Sequence, residues 1–155
     1  MRTSHVKVRS AIPADQKQLN TVMRNASLAV ETGEVLRRLM EERELLNVDA
    51  KLISSGQVVL AEADGVVVGF ASFVIAESAY TELDGMFVDP SYWRRGIGRM
   101  IFEAAQRELI ARHATGIRVV SSASAVHFYK SVGFSIVGEE KTPLGSTVPV
   151  MTKVL

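Results

Sequence analysis

Hydrophobic and polar residues alternate along the chain in a pattern that predicts seven strands. The clearest pair flanks Asp64-Gly65, a dipeptide typical of the tight turn in a hairpin. The predicted strands cover residues 6–9, 57–63, 66–76, 81–88, 117–120, 134–138 and 148–155. The two-residue period of strand 81–88 divides its side chains between two faces: Glu82, Asp84, Met86 and Val88 on one, and Leu83, Gly85 and Phe87 on the other.

Four segments between these strands are predicted to be helices. Pro13 begins the first, since proline is favoured at the first helical position, and Gly33 separates it from the second. The other three cover residues 34–46, 99–113 and 124–132. Two helices carry an apolar stripe that marks a buried side: Leu19, Val22, Met23 and Ala26 in the first, and Ile101, Phe102, Ala105 and Leu109 in the third. The order β-α-α-β-β-β-α-β-α-β-β in 155 residues predicts one α/β domain, residues 1–155.

A basic loop containing two glycines joins strand 81–88 to the helix at 99–113. Gly96 and Gly98 can adopt a positive φ and allow a ligand to approach the backbone closely. The first turn of a helix leaves about four N–H groups unpaired, which favours phosphate binding there. Arginine side chains at Arg94, Arg95 and Arg99 add positive charge. We expect an anion site built on these arginines and on the amides of Arg95, Gly96, Ile97, Gly98 and Arg99, with a plain glycine-rich turn as the open alternative.

Two common phosphate-binding motifs do not fit this loop. The dinucleotide fingerprint requires a third glycine where Ile101 stands. The P-loop requires Gly-Lys-Ser/Thr, which the chain lacks. The glycines therefore predict an anion site of another kind.

Two segments carry the pattern of a known family. Trp93-Arg94-Arg95-Gly96-Ile97-Gly98 aligns with the motif Gln/Arg-x-x-Gly-x-Gly/Ala, after the hydrophobic-Val-Asp-Pro sequence at 87–90. A second motif, Ala-x-x-Phe/Leu-Tyr-x-x-x-Gly-Phe, matches residues 125–134. On these residues the chain resembles the GNAT superfamily of acetyl-CoA-dependent N-acetyltransferases. Trp93 stands where the family often has Gln or Arg.

The resemblance implies the GNAT acyl-CoA N-acyltransferase fold. This fold is a mixed, mostly antiparallel seven-stranded sheet, splayed after strand four, with helices on both faces. The resemblance also implies acetyl-CoA as co-substrate and no metal, with phosphates held by the glycine loop. The backbone of Phe87 and Val88 would pair with the pantetheine amides as an added strand does. Ser122 stands where many members place an Asn that helps to hold the pantetheine arm.

Acetyl transfer to an amine needs a base and an acid. An amine attacks a thioester only when neutral, yet free alkyl amines have a pKa of about 10. Glu82 lies fourteen residues before Gly96, the spacing of the base glutamate in the histone-acetylating branch of the family, and Asp84 is the alternative base on the same face. Either carboxylate could instead only bind a cationic substrate. Tyr129 fills the general-acid position of the family, next to the cofactor, and would protonate the departing CoA thiolate.

Composition excludes several classes of protein. The absence of cysteine excludes disulfides, thiolate metal sites and a cysteine nucleophile. No run approaches the roughly 20 apolar residues that span a bilayer, and the first residues are no signal peptide, so we expect a cytoplasmic protein with no membrane contact. A net charge of +1 argues against nucleic acid as a partner. The charge is unevenly distributed, with a net −5 over residues 51–93 and +5 over residues 94–155. The acidic part suits a cationic amine and the basic part an anionic CoA.

The sequence thus predicts an N-acetyltransferase that moves the acetyl group of acetyl-CoA directly to a primary amine in a ternary complex. The acceptor is either a small molecule or a peptide amine, such as a protein N-terminus or lysine. Two alternatives stay open: an acyl-CoA-binding domain without turnover, serving as a sensor or assembly partner, and a transferase of a longer acyl group. Because family members are often dimers, a homodimer is a further expectation.

Overall fold

A computed structural model describes residues 5–42, 46–75, 80–143 and 145–155. All seven predicted strands are present, in one sheet with the order β1-β2-β3-β4-β5-β7-β6. Their bounds are β1 Val6–Ser10, β2 Val58–Ala63, β3 Val66–Val74, β4 Thr81–Val88, β5 Gly116–Val120, β6 Ser135–Lys141 and β7 Thr147–Val154. The predicted end of the third strand, Ala76, lies outside the described residues. β6 continues to Lys141, beyond its predicted end at Gly138.

Five helices lie between the described strands. They are α1 Gln16–Val30, α2 Gly33–Glu41, α3 Ala50–Ser54, α4 Ile97–Ala111 and α5 Val126–Ser131. Short 3₁₀ helices cover Pro13–Asp15, Pro90–Tyr92 and Ala123–Ala125. The predicted first helix is therefore a 3₁₀ turn at Pro13 followed by α1.

The region between α2 and β2 differs from the prediction. α2 ends at Glu41, so the prediction of a helix as far as Leu46 was wrong at that end; residues 43–45 lie outside the described ranges. No residue of α2 is fully buried, although Val35, Leu36 and Leu39 are half-buried. The unpredicted α3 is capped by Asp49, whose carboxylate accepts a hydrogen bond from the Lys51 amide at 2.9 Å. Its five residues are too few to show a helical period in the sequence.

The sheet is mixed, and its two central strands separate part-way along. β4 and β5 run parallel, whereas β1–β2, β2–β3, β5–β7 and β6–β7 are antiparallel. The parallel ladder comprises three pairs, Thr81–Ile117, Glu82–Arg118 and Leu83–Val119, and β4 then continues for five residues to Val88. This is the splay after strand four that the sequence predicted, and the fold class is confirmed.

The chain divides into two compact units. One consists of Met1–Ser72 with Gly85–Gln106, and the other of Phe73–Asp84 with Arg107–Leu155. The core of the first unit joins α1 to β2 and β3: Leu19, Val22, Val58, Leu60, Val67 and Phe70 are all buried. Phe87 packs against this core, with its ring centroid 5.5 Å from that of Phe70. The predicted stripe of α1 is confirmed, with Met23 partly buried at its edge.

The second unit is built on the antiparallel ladders of β5, β7 and β6. Ile117 and Val119 of β5 and Val150 and Met151 of β7 are buried. α5 adds the buried Tyr129, whose ring makes an edge contact with Phe134 at a centroid distance of 5.3 Å. Each of these residues belongs to a segment that the sequence predicted to be regular.

Gly69 allows β3 to lie close to the end of β4 and to α4. A Cβ added there would lie 2.7 Å from Ile101 Cδ1 and 3.0 Å from the Phe87 carbonyl oxygen. We expect Gly69→Ala to lower the free energy of unfolding by about 1–3 kcal/mol, the usual cost of overpacking. Gly138→Ala is the matched control, because a Cβ at Gly138 meets nothing within 4 Å. Urea denaturation would measure both variants, and equal stabilities would contradict the close packing described.

Candidate functional site

The segment after β4 is held in place by Asp89. Its amide donates to the Val68 carbonyl at 2.8 Å, and its carboxylate accepts hydrogen bonds from the amide and hydroxyl of Ser91 at 3.0 and 2.6 Å. Asn25 of α1 donates to the other carboxylate oxygen at 3.3 Å. Burial opposes the charged form of Asp89, but the hydrogen bonds from Ser91 and Asn25 outweigh it and lower the pKa of this carboxyl. Asp89 therefore serves as an anionic cap for the turn Pro90–Tyr92.

Two residues of the glycine loop adopt the left-handed backbone conformation. Gly96 has a φ of +77°, as the sequence predicted, and a Cβ added to it would meet nothing within 4 Å. Arg94 also has a positive φ, +62°, which costs about 1 kcal/mol or more in a residue with a side chain. The prediction of a positive φ at Gly98 was wrong, because this residue lies inside the first turn of α4. Gly96 thus directs the chain into the helix and leaves open space beside its backbone.

The N-terminus of α4 lies at this loop. The helix begins at Ile97, and the Gly96 carbonyl accepts its first bond, from the Met100 amide at 3.1 Å. The amides of Ile97 and Gly98 belong to the first turn, where N–H groups lack acceptors within the helix. Since α4 has fifteen residues, its dipole gives this end partial positive charge.

The three arginines of the loop have different surroundings. Arg94 is exposed. Arg95 lies over the Tyr92 ring, with the guanidinium carbon 5.2 Å from the ring centroid. Arg99 is exposed and forms a long ion pair with Glu103 at 3.9 Å. The helix end and these cations together form a positive surface suited to a phosphate group.

Trp93 makes an unpredicted contact with the end of β4. Its indole N–H donates to the Val88 carbonyl at 2.7 Å, and 41% of the residue is exposed. The Phe87 carbonyl lies against Gly69, and Phe87 and Val88 are both half-buried. The predicted cofactor residues of the first unit, from Phe87 to Arg99, thus belong to one continuous segment. Nothing in the sequence motif indicated that a side chain would bond to Val88.

In the second unit Glu82 forms an ion pair with an arginine of the neighbouring strand. Arg118 lies opposite Glu82 in the register of β4 and β5, and its Nη1 donates to Glu82 Oε1 at 2.7 Å. The Nη2 of Arg118 donates to Glu140 Oε2 at 2.8 Å. The hydrogen bond to Glu82 and, to a smaller extent, the one to Glu140 raise the pKa of Arg118. About a third of the Glu82 side chain is exposed, 32%, so water reaches this carboxylate.

Asp84 follows Glu82 on the same face of β4. The burial pattern alternates over residues 81–84, with Thr81 and Leu83 buried, Glu82 half-buried and Asp84 exposed, whereas residues 85–88 are all half-buried. On the described strands, Glu82 and Glu140 share the Arg118 guanidinium, and Asp84 adds a carboxylate two residues further along β4.

Tyr129 is the most deeply buried of the predicted catalytic residues. It is 6% exposed, and its ring contacts those of Phe128 and Phe134 at centroid distances of 5.4 and 5.3 Å. Burial raises its pKa to about 12. A phenol with this pKa keeps its proton throughout the neutral range and is a hydrogen-bond donor there. It is also a weaker acid than a free phenol, whose pKa is about 10.

Ser122 begins the 3₁₀ turn that precedes α5. Its hydroxyl lies 3.1 Å from that of Ser124, and either oxygen can be the donor. The side chain does not cap the turn. This hydroxyl is an adaptable polar group where the family pattern often has Asn.

The described residues offer neither a cluster of metal ligands nor a helix that could span a membrane. Within the described ranges, no three His, Cys, Asp or Glu side chains are grouped to hold a metal ion. Of the helices in those ranges, none combines the length and the apolar character that crossing a bilayer requires.

Solved structures of acetyltransferases share this fold. The PaiA N-acetyltransferase of Thermoplasma acidophilum, solved with coenzyme A, is 19% identical with a TM-score of 0.78, over 97% of this chain and 99% of that one. A GCN5-related N-acetyltransferase of Rhodopseudomonas palustris is 23% identical with a TM-score of 0.79, over 100% and 99% of the two chains. The ribosomal-protein-S18-alanine N-acetyltransferase of Escherichia coli is 20% identical with a TM-score of 0.71, over 96% and 93%.

Sequence comparisons assign the family. A search among curated proteins gives no significant match. The model of the acetyltransferase (GNAT) domain, however, matches residues 54–136, more than half of the chain. This match includes the end of β4, the glycine loop, α4 and the Phe128-Tyr129 motif. The chain therefore belongs to the GNAT acetyltransferase family.

Proposed function

We propose that this protein is an acetyl-CoA-dependent N-acetyltransferase that transfers the acetyl group directly to a primary amine in a ternary complex. The observation that carries the proposal is the left-handed Gly96 at the start of α4, with open space beside its backbone. A phosphate-bearing ligand needs such close access to helix amides. Family membership supplies the reaction class, and the PaiA structure with coenzyme A has the same fold.

The first unit would hold the cofactor. The diphosphate would accept hydrogen bonds from the amides of residues 95–99, with charge from Arg94, Arg95 and Arg99. The backbone of Phe87 and Val88 would pair with the pantetheine amides. Ser122, which the family pattern also assigns to that arm, belongs to the second unit. Acetyl-CoA supplies the acetyl group as a thioester. The open space at Gly96 and the position of α4 directly after it fit such a ligand.

The second unit would supply the base that takes a proton from the amine and the donor to the CoA sulfur. Glu82, or Asp84 beside it, would take the proton from the attacking amine, directly or through water. Tyr129 would donate to the CoA sulfur as the carbon–sulfur bond breaks. Its pKa of about 12, above the roughly 8.5 of a free thiol, favours stabilisation of the thiolate by a hydrogen bond over full proton transfer. The ammonium group loses two protons, one before attack and one as the amide forms; the CoA sulfur gains one proton and the other leaves to solvent, which balances a direct transfer.

The acceptor would be a cationic amine. Glu82 and Glu140, which share the Arg118 guanidinium, would together with Asp84 attract an ammonium group before it loses its proton. Relatives of this fold include the S18-alanine N-acetyltransferase, so peptide amines belong beside small amines among the candidates. The cytoplasmic location, the single domain and a homodimer remain predictions.

A thiol-release assay with a panel of acceptors would test the function. Acetyl-CoA would be mixed with polyamines, aminoglycosides, amino acids or short peptides, and mass spectrometry would identify the acetylated product. We expect acceptor-dependent release of CoA with one class of amine. Butyryl-CoA in parallel would reveal a preference for a longer acyl group. Tight binding of acetyl-CoA with no release on any acceptor would instead favour a sensor.

A further inference from the structure

Trp93 is the only tryptophan of the chain, and it lies where the cofactor segment changes direction. Its backbone is extended, with φ −64° and ψ 154°, directly after the turn Pro90–Tyr92. Its amide donates to the Pro90 carbonyl at 3.2 Å, and its indole N–H donates to the Val88 carbonyl at 2.7 Å. One residue therefore bonds both to the turn and to the end of β4.

The backbone that follows Trp93 needs such support. Arg94 is left-handed with a side chain, and Gly96 is left-handed two residues later. A conformation of this kind persists only where neighbouring contacts hold it. The indole bond provides one of these contacts, because it connects the residue before Arg94 to the last residue of β4.

The same bond lies between the two segments that would bind the cofactor, the end of β4 and the glycine loop. This inference therefore rests on the proposed function. Val88 would bind pantetheine and the glycine loop would bind the diphosphate, so the spacing between them must match the ligand. A carbonyl oxygen has two lone pairs, so Val88 can accept from the indole and still accept from a pantetheine amide. The residue is 41% exposed, so burial alone does not determine the position of its side chain.

We infer that Trp93 is a positioning residue for acetyl-CoA. Its indole N–H fixes the Val88 carbonyl relative to the glycine loop, so that the pantetheine and diphosphate sites are set before the ligand arrives. Its effect is on affinity for acetyl-CoA, because preorganisation lowers the cost of ordering on binding. It takes no part in the transfer of the acetyl group.

Two variants separate the donor from the ring. Trp93→Phe keeps an aromatic ring but has no N–H. Trp93→Gln loses the ring but carries an amide N–H whose nitrogen is as many bonds from Cβ as the indole nitrogen is. We expect Trp93→Phe to weaken acetyl-CoA binding by about 5- to 10-fold, the effect of one net hydrogen bond. Trp93→Gln should remain within about 2-fold of the wild type. In turnover assays only the KM for acetyl-CoA should rise, with kcat unchanged.

Calorimetric titration of the wild type and both variants with acetyl-CoA tests whether the indole N–H affects affinity. Circular dichroism checks that the variants are folded. Trp93→Phe binding as tightly as the wild type, or more tightly, would overturn the inference; tighter binding would mean that the indole competes with pantetheine for Val88. Equal weakening by both variants would also overturn it, because the ring would then matter and not the donor. A wild type that binds no acetyl-CoA would overturn the proposed function and the inference together.

Discussion

Tyr129→Phe should lower kcat by roughly 10²- to 10⁴-fold, the usual range for loss of a general acid. The substitution removes one oxygen atom and keeps the ring that packs against Phe128 and Phe134, so the fold should be retained. Affinity for acetyl-CoA should change little, because the hydroxyl acts on the sulfur as the bond breaks. Since the pKa of Tyr129 is about 12, the phenol is protonated throughout the assay range. The loss should therefore be the same from about pH 6 to pH 9.

The control for this variant is Tyr80→Phe. Tyr80 belongs to the same unit, and its ring lies against Gly116 of β5, where a Cβ would approach Cε1 to 2.4 Å. We assign Tyr80 no role in the reaction, so its variant should keep the kcat of the wild type. Steady-state kinetics with saturating acetyl-CoA and acceptor would measure both variants. A Tyr129→Phe enzyme with full kcat would show that the acid is another group or water.

Glu82→Gln should lower kcat by roughly 10²-fold or more, as loss of a general base does. The amide is nearly the same size, and its oxygen can still accept from Arg118 Nη1, which donates to Glu82 at 2.7 Å. The position of the side chain is therefore largely retained while its capacity to take a proton is lost. The loss should be greatest for acceptors with strongly basic amines, because these have the smallest neutral fraction at neutral pH.

Glu140→Gln is the matched control, since Glu140 accepts from the other nitrogen of the same guanidinium at 2.8 Å. If the Glu82 variant acted only through Arg118, the two variants would lose activity equally, and the assignment of a base would fail. Asp84→Asn tests the alternative base on the same face of β4. A large loss in this variant, with Glu82→Gln close to the wild type, would transfer the role to Asp84.

Much of the fold followed from local patterns in the sequence. The stripe of α4 is buried as predicted, because four apolar residues at helical spacing leave one side to pack: Ile101, Phe102, Ala105 and Leu109. The pairing of Glu108 with Arg112 also follows from helical spacing, at 2.9 Å. Glu103 has an arginine four positions away on each side, Arg99 and Arg107, and helical spacing allows an ion pair with either. In the structure it pairs with Arg99.

Site residues could be predicted where a backbone conformation requires a particular residue type. Contacts between side chains of neighbouring strands were harder to predict. Gly96 could be recognised because a positive φ favours glycine, and it has one. Arg94 has the same conformation without any sequence signal, since contacts elsewhere in the fold impose it. Arg118 was missed because its contact with Glu82 depends on the register of β4 and β5, thirty-six positions apart in the chain. The Trp93 bond to Val88 depends likewise on a turn geometry that the motif does not encode.

Calorimetric titration of acetyl-CoA into Gly96→Ala and Gly65→Ala, beside the wild type, tests the central claim most directly. Both glycines are left-handed, at +77° and +82°, and a Cβ at either position meets nothing within 4 Å. The strain of substitution, about 1 kcal/mol, is therefore matched, and only Gly96 lies in the proposed phosphate site. We predict saturable binding to the wild type and to Gly65→Ala, and binding at least about 10-fold weaker to Gly96→Ala. Equal affinities in all three proteins, or no binding to the wild type, would contradict the account.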